Sequence, residues 1–74
     1  MMLKADGFEA ATVGKVYDLA TSSERLVYSF EQCVDILVKR DGMTSDEAIE
    51  YMEYNVTGAY VGDGTPLFMY ELID

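Results

Sequence analysis

The spacing of apolar and polar residues changes along the chain, and each change marks an element. Through Ala10–Tyr17 the residues alternate imperfectly, with Thr12, Gly14 and Val16 on one side and Val13, Lys15 and Tyr17 on the other, the period of a β-strand. Asp18 to Glu24 carries the turn-forming cluster Thr21-Ser22-Ser23, and Arg25–Tyr28 reads as a second short strand. Two strands around such a loop predict a hairpin. The period then becomes helical: Phe30, Cys33, Val34, Leu37 and Val38 form one apolar stripe. Ser29 and Gln32 stand in capping-box positions before it, and Gly42 can supply the left-handed residue that ends it. Thr44 and Glu47 repeat the capping signature, and Ala48, Ile49, Met52, Val56 and Ala59 continue at helical spacing with Tyr51 on the flank. The end of this second helix falls between Tyr54 and Val61. Gly62 to Pro66 is a turn by composition, and Leu67–Ile73 reads as a last strand, with Leu67, Met69 and Glu71 on one side and Phe68, Tyr70 and Leu72 on the other.

The resulting order is β-β-α-α-β, an α+β fold. The short connection at Gly42–Thr44 predicts an antiparallel helical hairpin, which needs an apolar platform. The expectation is two layers: a small three-stranded antiparallel sheet with the helix pair on one face. Seventy-four residues, half of them hydrophobic, suit a single domain over residues 1–74 with its own core.

The chemistry available is narrow. The chain has no histidine and one cysteine, Cys33, so neither an internal disulfide nor a Cys/His zinc site is expected. No Ser/Lys or Cys/His pairing is evident for nucleophilic catalysis, so the expectation is a protein that is not an enzyme, with no cofactor and no metal. Cys33 lies on the apolar stripe and reads as an inert core thiol. No apolar run approaches the length of a membrane span, and no export signal is visible at the start, so a cytoplasmic protein is expected.

Charge alters the picture most. Residues 1–42 hold seven acids and five bases, a net of −2, whereas residues 43–74 hold seven acids and no base, a net of −7. Such a half repels phosphate backbones and disfavours direct nucleic-acid binding, while suiting a partner with a basic surface. Solubility alone would account for the same charge.

The run Asp41-Gly42-Met43-Thr44-Ser45-Asp46-Glu47-Ala48-Ile49-Glu50-Tyr51, then Asn55-Val56-Thr57-Gly58-Ala59-Tyr60-Val61-Gly62 and Gly64-Thr65-Pro66-Leu67-Phe68, resembles a family of short uncharacterised phage and prophage proteins. Its members share the pattern GMT-x-x-EA-x-E-(Y/F), then N-x-x-GA-(Y/W)-VG, then TP-x-F. Gly7-Phe8, Val13-Gly14 and Val27-Tyr28 fit as well, whereas the Asp18 to Glu24 loop lacks the basic residues associated with that place. The resemblance implies a phage-encoded protein and carries no assigned activity. Each residue of the motif also has a structural explanation: helix capping for Thr44 and Glu47, close packing for Ala48 and Ala59, and tight backbone for Gly58, Gly62 and Gly64.

Three features are candidates for function. Asp46, Glu50 and Glu53 lie at i, i+4 and i+7 and would share one face of a continuous helix, a mildly repulsive arrangement in isolation. That face is either solvated or a docking ridge; helix-borne carboxylates without an oxygen-rich loop suit calcium or magnesium poorly. Tyr51, Tyr54 and Tyr60 fall beside the ridge, where aromatic bodies anchor an interface and rim charges steer it, or else pack at the edge of the core. The glycines Gly58, Gly62 and Gly64 follow a helix instead of opening one and have no accompanying lysine, which argues against a phosphate loop. Asn55-Val56-Thr57 is a formal glycosylation sequon without meaning in a chain that is not exported. The expected partner-binding residues are therefore Asp46, Glu50, Glu53, Tyr54, Tyr60 and Asp63. The expected function is that of a phage accessory protein binding a host or defence protein with a basic surface, in an anti-CRISPR-like version by mimicking nucleic acid. The alternative is a small self-associating domain, a homodimer joined through sheet edges or helix faces.

Overall fold

The computed structural model describes residues 2–57 and 64–72. A 3-10 turn, Glu9–Ala11, leads into strands β1 (Thr12–Asp18) and β2 (Ser23–Ser29), which form an antiparallel hairpin. Helices α1 (Phe30–Asp41) and α2 (Ser45–Tyr51) follow, α2 passes into a π-helical turn over Met52–Val56, and β3 (Leu67–Met69) completes a sheet of order β1-β2-β3. The α+β order is as the sequence predicts.

The sheet is mixed instead of antiparallel. Val27, Tyr28 and Ser29 pair with Leu67, Phe68 and Met69 in the same chain direction. Contacts in ascending order along both segments fix that direction. Arg25 Nε donates to the Thr65 carbonyl at 2.6 Å, the rings of Tyr28 and Phe68 stack at 5.6 Å, and those of Phe30 and Tyr70 stack at 4.6 Å. β3 is also shorter than predicted: it stops at Met69, and Leu72 is almost wholly exposed. The expected end of the strand at Ile73 lies outside the described residues.

Of the two predicted capping boxes, α1 shows the serine half and α2 the whole. The Ser29 hydroxyl accepts from the Gln32 backbone N–H at 3.2 Å, and Gly42, at φ 70°, closes α1 in the left-handed conformation with its N–H on the Leu37 carbonyl. Thr44 and Glu47 form a complete reciprocal box. Phe30, Cys33 and Leu37 are buried from α1, while Val34 and Val38 pack partly against them. From the second helical segment Ala48 and Met52 are buried, but Ile49, predicted on the apolar stripe, stays exposed.

The N-terminal segment contributes core without any periodic signal. Phe8 and Ala11 are buried, and the Ala5 N–H donates to the hydroxyl of the buried Tyr28 at 3.0 Å. Arg40, near the end of α1, lies over the Phe8 ring and donates to the Gly7 carbonyl at 2.8 Å, at a position whose φ of +92° favours glycine.

Strand register sorts the sheet faces. Leu26, Tyr28 and Phe68 face the helices and the core, whereas Val16, Val27, Leu67 and Met69 lie on the opposite face. Along β1 and into the hairpin loop, Val13, Val16, Tyr17 and Leu19 are all exposed. A bulge between Thr12 and Gly14 displaces Val13 from the ladder.

Candidate functional site

The second helical segment sets the candidate surface. The Thr44 hydroxyl accepts from the Glu47 N–H at 3.1 Å and the Glu47 carboxylate accepts from the Thr44 N–H at 2.9 Å, which fixes where α2 begins. With Ala48 and Met52 turned inward, Asp46, Glu50, Glu53 and Tyr54 are all exposed, Tyr54 to 82 %. Past Tyr51 the backbone widens: the Thr57 N–H bonds the Met52 carbonyl five residues back at 2.7 Å. Each residue then advances less around the axis than in an α-helix. Of the predicted i, i+4, i+7 ridge, Asp46 and Glu50 lie in α2 and Glu53 in the π turn, all three exposed.

Met43, Glu47, Glu50, Tyr51, Tyr54 and Asn55 instead line a shallow depression of about 290 Å³. Glu50 and Tyr54 from the predicted set meet there, while Asp46 and Glu53 are exposed outside its lining. Tyr60 and Asp63 lie outside the described residues. Glu47 and Tyr51 also belong to the depression; Tyr51 is one of the aromatics expected beside the ridge, though outside the predicted partner-binding set, and Glu47 is expected only as a cap. Their signal was present: Glu47–Tyr51 repeats the i, i+4 spacing of Glu50–Tyr54. Asn55 is held in the wall by its amide, which donates to the Tyr51 carbonyl at 3.3 Å. On the other side of Tyr51 and Asn55 a cavity of about 270 Å³ opens, bordered by Lys4, Asp6, Phe8, Pro66 and Phe68.

The surface is electrostatically uncompensated. Among the described residues the ion pairs are Lys15–Glu24, Arg25–Asp18, Lys39–Asp35 and Arg40–Asp41. Four of the five bases are thus engaged on the hairpin and α1, and no base occurs in residues 43–74. Asp46, Glu47, Glu50 and Glu53 are exposed and form no ion pair among the described residues. Two carboxylates and two tyrosines bordering one depression can accept hydrogen bonds from a cationic group and offer it aromatic area.

Cys33 is fully buried, and burial pushes its thiol up to about 11, so it is protonated and unreactive at neutral pH, as an inert core thiol should be. Among the described residues no three His, Cys, Asp or Glu side chains converge as a metal site, and no helix is long and apolar enough to cross a membrane. No family model matches the chain, and neither the curated proteins nor the solved structures contain a significant match to it.

Proposed function

We propose that this is a non-enzymatic phage accessory protein that binds a partner protein carrying a basic surface, through the acidic, tyrosine-bearing side of α2 and the π turn. The observation that carries the reading is Tyr54, exposed to 82 % and bordering the same depression as Glu50. A large aromatic left in water next to unpaired carboxylates is the composition of an interface anchor with a steering rim. Phage origin rests on the resemblance of the Gly42–Phe68 motif, and the binding chemistry rests on the residues. In the counter-defence version, Glu47 and Glu50 stand in for phosphates on a host protein that normally holds nucleic acid.

The test is affinity capture from host lysate with the wild-type chain and with a Glu50→Gln, Tyr54→Ala variant, at low and high salt. A specific basic partner held at low salt, released at high salt and lost in the variant supports the reading. A partner retained equally by the variant ends it.

A further inference from the structure

The hairpin Thr12–Ser29 differs from the rest of the chain in charge. It contains Lys15, Asp18, Glu24 and Arg25, a net of zero, so the whole net charge of −9 lies outside it. Its charges are satisfied internally: Lys15 Nζ lies 2.7 Å from Glu24, and Arg25 lies 3.1 Å from Asp18. Two copies of a molecule this acidic repel over most of their surfaces, and the hairpin is where they can approach without like charges meeting.

That same hairpin offers an open edge. β1 is the outer strand of the sheet, seven residues long, and among the described residues no strand pairs with its outer side. Val13, Val16, Tyr17 and Leu19 are exposed to 52 %, 42 %, 58 % and 84 %. Edge strands are commonly guarded by outward charges, proline or a bulge. Here the strand has no proline, Lys15 is turned to Glu24, and the one bulge of the hairpin ladder lies at the start of the strand, between Thr12 and Gly14, leaving Gly14 to Asp18 regular.

We propose that β1 pairs antiparallel with β1 of a second copy about a twofold axis at Val16, joining two three-stranded sheets into one of six. The register follows from the sequence of the strand. In a twofold antiparallel pair each residue opposes its mirror position about the centre, and opposed side chains share a face. Centring on Lys15 sets two lysines against each other. Centring on Gly14 leaves Tyr17 beyond the paired segment. Centring on Tyr17 sets Asp18 against Val16 and leaves Lys15 beyond it. Centring on Val16 sets that residue against itself, Lys15 against Tyr17 and Gly14 against Asp18, with Val13 at the bulge and Leu19 past the end of β1 outside the pairing. Only in this last register does Val16 cover its own copy while the lysine finds an aromatic face and no like charges are opposed. The inference is independent of the α2 surface, which lies on a different element and remains open in the dimer.

Sedimentation equilibrium of the full chain between about 20 and 500 mM salt tests it. A dimer is expected whose fraction rises with salt, because screening weakens the net repulsion between copies; this is opposite to the salt dependence of capture through α2. Val16→Lys places two lysines face to face and should weaken the dimer by roughly tenfold or more, with circular dichroism reporting an intact fold. Val16→Cys should cross-link to itself under mild oxidation while Thr21→Cys, in the hairpin loop, does not; the buried Cys33 does not compete. A chain that stays monomeric at high salt and high concentration, a dimer that weakens with salt, one indifferent to Val16→Lys, or cross-linking no faster at position 16 than at 21 would overturn the proposal.

Discussion

Arg25 and Thr65, forty residues apart, are joined by a hydrogen bond of 2.6 Å from the guanidinium Nε to the backbone carbonyl, and the same guanidinium holds Asp18 at 3.1 Å. One side chain thereby ties the hairpin loop to the entry of β3 and sets the end at which β3 joins the sheet. Arg25 is mostly shielded and Thr65 is buried. Arg25→Ala should therefore lower the unfolding free energy by about 1.5–3 kcal/mol, the range for charge-assisted bonds. Arg25→Lys should restore only part of it, since an ammonium cannot serve both acceptors with the fork of a guanidinium. Urea denaturation of the three proteins reads the order directly.

The parallel direction of β3 shows why part of this fold was legible in the sequence and part was not. α1 was legible because Phe30, Cys33 and Leu37 recur at helical spacing between a serine cap and Gly42, all of it local. Strand direction is not local. A period of two is the same in parallel and antiparallel strands, and the deciding contacts are Arg25 with Thr65 and Phe30 with Tyr70. The seal made by Phe8, Ala11 and the bond from Ala5 to Tyr28 was equally hidden, because an irregular segment carries no periodicity. At the candidate surface the pairing of Glu50 with Tyr54 was readable from spacing. The π turn that holds Glu53 was not. Glu47 was legible as a cap but not as a surface carboxylate, although it is both.

Acid should loosen the hairpin loop through Asp18. The Ala20 N–H, with Arg25 adding to it, holds the Asp18 carboxyl below its ordinary value of 3.8. A depressed folded-state value means that the ionised group stabilises the fold above the unfolded value, and that this contribution is lost as pH falls below 3.8 through the folded value. Asp18→Asn should be less stable than wild type at neutral pH, and the difference should close as the pH is lowered. Glu9 and Asp41 are shifted in the same direction, so the wild-type curve falls in acid for several reasons. Subtracting the variant isolates Asp18. Thermal melts of both proteins between about pH 2 and 7 make the comparison.

Glu47 serves the start of α2 and the depression at once, which allows its charge and its hydrogen bond to be separated. Thr44→Ala removes the hydroxyl that accepts from the Glu47 N–H and should cost about 1 kcal/mol. Glu47→Gln keeps an oxygen for the Thr44 N–H and should cost less, while removing one negative charge from the surface. Glu47→Ala loses both. If melting temperatures rank glutamine above alanine at position 47 while both variants lose partner affinity, the carboxylate acts on the partner through its charge and not through the fold.

Tyr54 tests whether the exposed aromatic is there for contact. Its side chain is 82 % in water, so Tyr54→Ala should leave stability within about 0.5 kcal/mol of wild type. If the ring is an interface anchor, the same change should weaken partner binding by about 2 kcal/mol or more, the loss typical of a central aromatic. Tyr54→Phe divides the anchor further: retention of affinity assigns the effect to the aromatic body, and loss assigns it to the hydroxyl. Glu50 stands four residues earlier on the same depression, so the pair should be coupled. In a double-variant cycle of Glu50→Gln with Tyr54→Ala, measured by calorimetry against the captured partner, the combined loss should fall short of the sum of the single losses. Additive losses would mean that the carboxylate and the ring meet the partner at separate points, and the depression would not be the unit of recognition.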